Sequence, residues 1–270
     1  MKKIVKGDLV YFVFESFENT GVVNHCFSTR LGGVSEGALS SLNLRFKHDK
    51  KENVVENYRR LCSAIGADYK NTVFTDQVHK DVIYDAAPDD RGKGLFKESD
   101  ILETDGLMTN HPNVVLVTFH ADCTPLYFLD PVKRVIALSH SGWKGTALSI
   151  GAKTVSKMVK DYDCDRKNIL CGIGPCIGGC CYQVDNYVKS VFDEKFAFSG
   201  EYFKNDTIEG KYLFDLQGIN KRILTEAGIP AENIECADLC TKCNSDLFYS
   251  YRVMGDNRGS LAALMELKEQ

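Results

Sequence analysis

Short apolar runs alternate along the 270-residue chain with segments of helical period and with glycine-rich connections. LVYFVF (9–14) and NHCFST (24–29) predict strands, and RLGGVSEGALSSLNL (30–44) a glycine- and serine-rich loop. In KENVVENYRRLCSAIG (51–66), Val54, Val55, Tyr58, Leu61, Cys62 and Ile65 recur at helical spacing, and Gly66 suits a C-cap. Short strands are expected over 72–75 and 81–84, joined by DQVHK, and the polar segment 88–99 reads as a mobile surface loop. GLMT (106–109), VVLVTF (114–119), PLYFLD (125–130) and RVIALS (134–139) together predict a central sheet, with DPVK as the turn of an antiparallel pair. A second amphipathic helix is expected over 147–162, a buried strand over 168–174, helices over 182–196 and 215–228, and strands over 247–253 and 260–267. No repeat, low-complexity tract or linker divides the chain. The reading is one domain over 1–270, of α/β (α+β) class, with a central mixed sheet flanked by helices.

Composition narrows the function. The apolar fraction of 44% and charged fraction of 26% are those of a globular protein. A net charge of -4 gives no electrostatic footprint for nucleic acid or an anionic membrane, so an anionic substrate must be held by a few local cations. No apolar segment is long enough for a transmembrane helix. The N-terminus begins with two lysines like a signal peptide, but Lys6, Gly7 and Asp8 interrupt its apolar core. Eleven cysteines without such a signal predict reduced thiols and a cytoplasmic protein, most of them serving as small buried hydrophobes.

Three segments end a strand in a metal-capable side chain: His79 in TDQVHKD, Cys123 in HADCTP and His140 in SHSGWKG. If 114–119 and 134–139 lie side by side, these residues converge at one sheet edge. Two imidazoles and a thiolate suit zinc, and three protein ligands leave a fourth position for water or substrate. The spacing is not a local zinc motif, however. His25, His48, His111 and His120 remain, and His120 can compete for a place in the site. CGIGPCIGGCC (171–181) has the wrong spacing for a zinc ribbon and reads as loop packing, and Cys240-x2-Cys243 lacks a second pair.

The chain resembles the YfiH-like family, described both as multicopper polyphenol oxidases or laccases and as purine nucleoside-metabolising enzymes. The likeness rests on HCFSTRLGGVSEGALSSLNL, TDQVHKDV, DGLMT, ADCTPLYFLDP, HSGWKGT, IGPCIGGCCYQV, FDLQGIN and CTKC…FYSYR, in that order. It implies zinc on His79, Cys123 and His140, and a fold like that of cysteine-hydrolase-like toxins. Where the family has His-Ala-Gly-Trp-Arg-Gly, this chain has Ser141 and Lys144; Arg45 follows Ser41-Leu42-Asn43-Leu44 in place of glycine; and the C-terminal Gly-Arg is reversed as Arg258-Gly259. Lys144 keeps the charge of arginine without its bidentate fork.

The implied chemistries are not equal. A multicopper oxidase needs a trinuclear histidine cluster besides a His2Cys centre, and six histidines do not build both. A His2Cys site can still take up copper in vitro. Phosphorolysis of adenosine, inosine or 5′-methylthioadenosine needs a placed phosphate and protonation of the departing purine. Arg30 with an anion nest in LGGVSEG, Lys144 and Arg252 are the candidate phosphate contacts, and Asn43 a candidate for sugar or base. Asp122 is the candidate general acid/base, or else orients a ligand, and Trp143 and Tyr182 are candidates to stack on the purine. Adenosine deamination is the weaker alternative, because H-x-E…P-C-x-x-C is missing. The remaining rival is a hydrolase or amidase acting on cell-wall precursors, with Cys123 as nucleophile and His140 as base. Oligomeric state is not legible.

Overall fold

A computed structural model describes residues 1–269. Strands Lys2–Lys6, Leu9–Val13, Val23–Ser28, Leu261–Leu267, Val115–His120 and Thr72–Phe74 form one six-stranded sheet in that spatial order. Ile234–Cys236, Leu170–Ile173, Thr124–Asp130, Val135–Ser141, Gly106–Thr109 and Ile83–Asp85 form a second. Each is mixed, being antiparallel apart from parallel pairings at 72–74 with 115–117 in the first sheet and at 171–173 with 234–236 and 83–85 with 106–108 in the second. A three-stranded antiparallel sheet of Gln183–Asp185, Lys211–Phe214 and Phe203–Asn205 stands to one side.

The apolar runs are continuous because both faces of each large sheet are covered. Leu116 points into the layer between the sheets with Tyr127, Leu129, Ile136 and Leu138. Its neighbours Val115 and Val117 point the other way, onto Val54, Tyr58 and Leu61 of the helix Lys51–Ile65. In the second sheet Leu126, Phe128, Val135 and Ala137 face outward onto Val155 and Met158 of the helix Ile150–Tyr162 and onto Leu224. Alternation of side chains along a strand thus fills three layers at once. Each of these large buried side chains contributes about 1.5–3 kcal/mol.

The α/β class stands, as does the antiparallel pair at 124–130 and 135–141. The four runs expected to share one central sheet are divided instead: 115–120 belongs to the first sheet, the other three to the second. The segment 247–253 is not a strand. Phe248 and Tyr249 are buried in coil and Tyr251–Met254 is a helical turn, because the Asp122 carboxylate takes the Ser250 hydroxyl and the Arg252 N–H and bends the chain there. Gln183–Asp185 begins the expected 182–196 helix as a strand, and Asp185 then caps Asn186–Lys195 through the Val188 N–H. The expected helix over 147–162 is interrupted at Ser149, which takes φ 58° between Trp143–Ala147 and Ile150–Tyr162. The polar segment 88–99 is anchored: Leu95 is buried in the first sheet's outer cluster, and Lys93 bonds Asp90 and Asp100.

Candidate metal and nucleoside site

Strand ends in two sheets and one register build the site. Strand 115–120 of the first sheet ends at His120, and the turn Ala121-Asp122-Cys123 crosses to strand 124–130 of the second. There Thr124 pairs with Ser141 and Pro125 with His140, so Cys123 lies beside the end of strand 135–141. Asp122 takes φ 89° to make the crossing. His79 comes from the loop between Thr72–Phe74 and Ile83–Asp85 and takes φ 62°.

One carboxylate that the sequence did not single out sets this geometry. Asp105, fully buried, stands just before Gly106, which pairs with Ser139. Its Oδ1 lies 2.8 Å from His140 Nδ1 and accepts the His79 N–H at 3.0 Å; Oδ2 accepts from Val78 and Lys80 at 3.1 and 2.7 Å. Asp105 therefore orients the imidazole that ends one strand and clamps the loop that brings the other. These bonds outweigh burial and hold its carboxyl below the usual range.

The ligand atoms of His79, Cys123 and His140 all lie within 4.8 Å of one another. That is the span of one ion with bonds of about 2.0–2.3 Å, so the donor set fits zinc. Burial opposes ionisation of Cys123, but the charge and hydrogen bond of His140, with His79, overcome it and bring the thiol down to about 6. Burial likewise opposes charge on His140, and Cys123 and Asp105 together raise it. Gly142 permits the approach: a Cβ there would sit 2.9 Å from Cys123 Sγ and 3.3 Å from the His79 ring. His120 stays outside, its Nε2 2.8 Å from Thr118 Oγ1 and its Nδ1 3.1 Å from the Cys123 carbonyl.

His79 and Cys123 line a cavity of about 400 Å³, within the range of small-molecule sites. Trp143, Tyr182, Ile177, Leu216 and Tyr251 supply apolar walls, and Lys144, Arg252 and Arg258 supply cations. Arg252 lies over the Tyr182 ring at 5.1 Å and donates to the Gln183 carbonyl at 2.9 Å. Arg258 stacks on Tyr251 at 4.8 Å, and its buried Nε has no partner among the described residues. Arg258, whose order with Gly259 departs from the family pattern, thus reaches the cavity.

Three expectations change. Arg30 does not line the cavity: its guanidinium donates to the carbonyls of Ser40 and Ser245 and lies on Tyr249, holding loops together. The nest expected in LGGVSEG is closed, because Gly33, Val34 and Ser35 spend their N–H groups on Ser41 Oγ, Asn57 Oδ1 and the Ser41 carbonyl. Asn43 is buried and satisfied by Arg45, Asp49 and Ser260, which makes it a loop-fixing residue. Asp122 does line the cavity, but Thr241 and Ser250 hydroxyls and the Arg252 N–H already claim its carboxylate at 2.6, 3.0 and 2.8 Å. That is the geometry of an orienting group, the alternative to acid/base catalysis.

Residues 24–268 match the family model for multi-copper polyphenol oxidoreductase laccases. The chain is 36% identical over 245 residues to purine nucleoside phosphorylase YlmD of Bacillus subtilis, covering 90% of this chain and 88% of that one. Crystal structures of the Bacillus licheniformis hypothetical protein YfiH and of YlmD from Geobacillus stearothermophilus superpose with TM-scores of 0.90 each. They are 34% and 30% identical to this chain and cover 97% and 99% of both partners.

Proposed function

The chain belongs to the family of the YfiH and YlmD proteins, and from that premise we propose that it is a zinc-dependent purine nucleoside phosphorylase acting on adenosine and inosine, and on 5′-methylthioadenosine. The observation that carries the reading is the three-ligand group His79, Cys123 and His140, of which His79 and Cys123 line a cavity with aromatic walls and three cations while His140 is buried behind them. Zinc, when bound there, supplies Lewis-acid polarisation at one open coordination position.

The chain's own groups divide the rest of the work. Trp143 offers a flat apolar face to a purine, while Tyr182, its ring covered by Arg252 and stacked on Phe214, closes the wall beside it. Lys144, Arg252 and Arg258 line the cavity and attract and place phosphate. Holding phosphate against the ribose C1′ converts a bimolecular displacement into one within a complex. The bond from C1′ to the purine nitrogen breaks as the bond to a phosphate oxygen forms, and its electron pair leaves with the base, which takes up a proton. Asp122 keeps the turn bearing Cys123 in register with the loop bearing Arg252.

A second reading has an observation of its own. Asp105, His140 and Cys123 stand in the order of a cysteine-hydrolase triad, with the thiol already lowered. Metal discriminates between them, because a thiolate engaged by zinc is not a free nucleophile. Protein purified without added metal, incubated with adenosine with and without phosphate, is expected to give adenine and ribose 1-phosphate only when phosphate is present. Inosine formed without phosphate would indicate deamination. No product from protein of negligible metal content would favour the Cys123 hydrolase.

A further inference from the structure

We infer that Cys180, Cys181, Cys240 and Cys243 hold a second zinc ion, in a closed all-thiolate site that fastens together the two loops behind the cavity. The inference stands on different residues from the proposed activity and does not depend on it. The four sulfurs lie within 4.8 Å of one another. Cys243 Sγ is 3.6 Å from Cys180 Sγ and 3.4 Å from Cys181 Sγ. Zn–S bonds of about 2.3 Å in a tetrahedron place sulfurs about 3.8 Å apart, whereas a disulfide requires about 2.05 Å. All four are free thiols. A cage this tight has room for one ion and not for an iron–sulfur cluster, whose irons and sulfides must fit between the cysteine sulfurs.

The surrounding backbone is arranged for sulfur that carries charge. Gly178 and Cys243 both direct their N–H groups at Cys240 Sγ, at 3.3 and 3.5 Å. Such donors stabilise a ligating thiolate and fix its direction. Gly178 permits close approach of the second loop: a Cβ there would meet Cys240 Cβ at 3.2 Å and Cys240 Sγ at 3.6 Å. The Cys176–Leu239 and Thr241–Cys176 backbone bonds bring the segments alongside, and Ile177 N–H reaches the Asp122 carbonyl. One loop carries Ile177 and Tyr182 of the cavity wall, and the other carries Thr241, which holds Asp122. Four protein ligands leave no open position, so this ion is structural.

This corrects the reading of both cysteine motifs. Cys171 and Cys176 are buried and stay outside the cluster, while the adjacent Cys180-Cys181 pair supplies the partner that Cys240-x2-Cys243 lacked.

The test removes the other site first. The double variant His79→Ala/Cys123→Ala, purified under reducing conditions from zinc-supplemented cells, is expected to retain about one zinc per chain by elemental analysis. Adding Cys240→Ser/Cys243→Ser should take the content to near zero. Wild-type protein supplies the control that needs no variant to fold. Reconstituted with cobalt, it should show the strong thiolate-to-cobalt charge transfer of a tetrahedral all-sulfur site, and its four thiols should become alkylated only after a chelator strips the ion. A His79→Ala/Cys123→Ala protein without bound zinc, the recovery of copper or iron instead, or a disulfide among these four residues in reduced wild-type protein would overturn the inference.

Discussion

The molecule carries two cysteine-bearing clusters on neighbouring loops, and they differ in every feature that separates a working site from a fastening. His79, Cys123 and His140 are three candidate ligands of mixed type, two of them lining a cavity, with Asp105 aligning the buried His140 from behind. Cys180, Cys181, Cys240 and Cys243 are four ligands of one type, with backbone N–H groups in the place of a carboxylate and no position left over. The count of ligands teaches more than their identity does. A three-ligand set leaves room for substrate, and a four-ligand set gives its whole binding energy to the fold.

The comparison breaks most easily at the first cluster. Cys123→Ala or His140→Ala should bring nucleoside turnover to background and remove one metal ion, while the ion on the four cysteines stays; loss of both ions together would erase the distinction. Asp105→Asn keeps the volume but weakens the grip on His140 and on the His79 loop. A fall of about 10–100-fold in zinc affinity or kcat is expected, read by titration against a competing chelator. A change of substrate KM alone would place Asp105 outside the metal's support.

Effects of that size or smaller sharpen the contrast from the substrate side. Arg258→Ala and Lys144→Ala should each raise the KM for phosphate by roughly 10- to 100-fold, the loss of one charge-assisted contact of about 1.5–3 kcal/mol, with both metal ions retained. Arg30→Ala, by contrast, should lower thermal stability without selectively raising that KM, because its guanidinium faces loop carbonyls.

The smallest effect is expected at a buried histidine that has no metal partner. Burial lowers His25 from 6.5 to about 3, and its Nε2 accepts the Phe14 N–H at 2.8 Å. The unfolded chain takes up this proton below about pH 6.5 and the folded chain does not, so stability is full above that pH and declines by up to about 1.4 kcal/mol per unit as pH falls toward 3. His25→Gln should flatten that part of the unfolding profile; an unchanged slope would assign it to other groups.

Apolar runs mark the places of Cys123, just past Val115–His120, and His140, near the end of Val135–Ser141, whereas His79 lies in the loop between Thr72–Phe74 and Ile83–Asp85, where no run points to it. Asp105 was not legible, since an acid before a short strand looks like any turn residue until the register with Ser139 is known. The second cluster was hidden for a related reason: its two pairs belong to distant segments, and local spacing says nothing of a meeting between them. Periodicity likewise located Val115–His120 and Val135–Ser141 as strands but not their sheets, because a strand buried on both faces has no polar side to show which layer it faces. Arg30 and Asn43 were misplaced by residue type alone. A cation or an amide in a glycine-rich loop serves the loop's own carbonyls as readily as a ligand.

Phosphorolysis is tested most directly by following adenosine turnover in heavy-oxygen water with ordinary phosphate present. The account predicts adenine and ribose 1-phosphate with no label in either, since the new bond at C1′ is made to a phosphate oxygen. Labelled ribose would show hydrolysis, and labelled inosine deamination; either as the main product would contradict it.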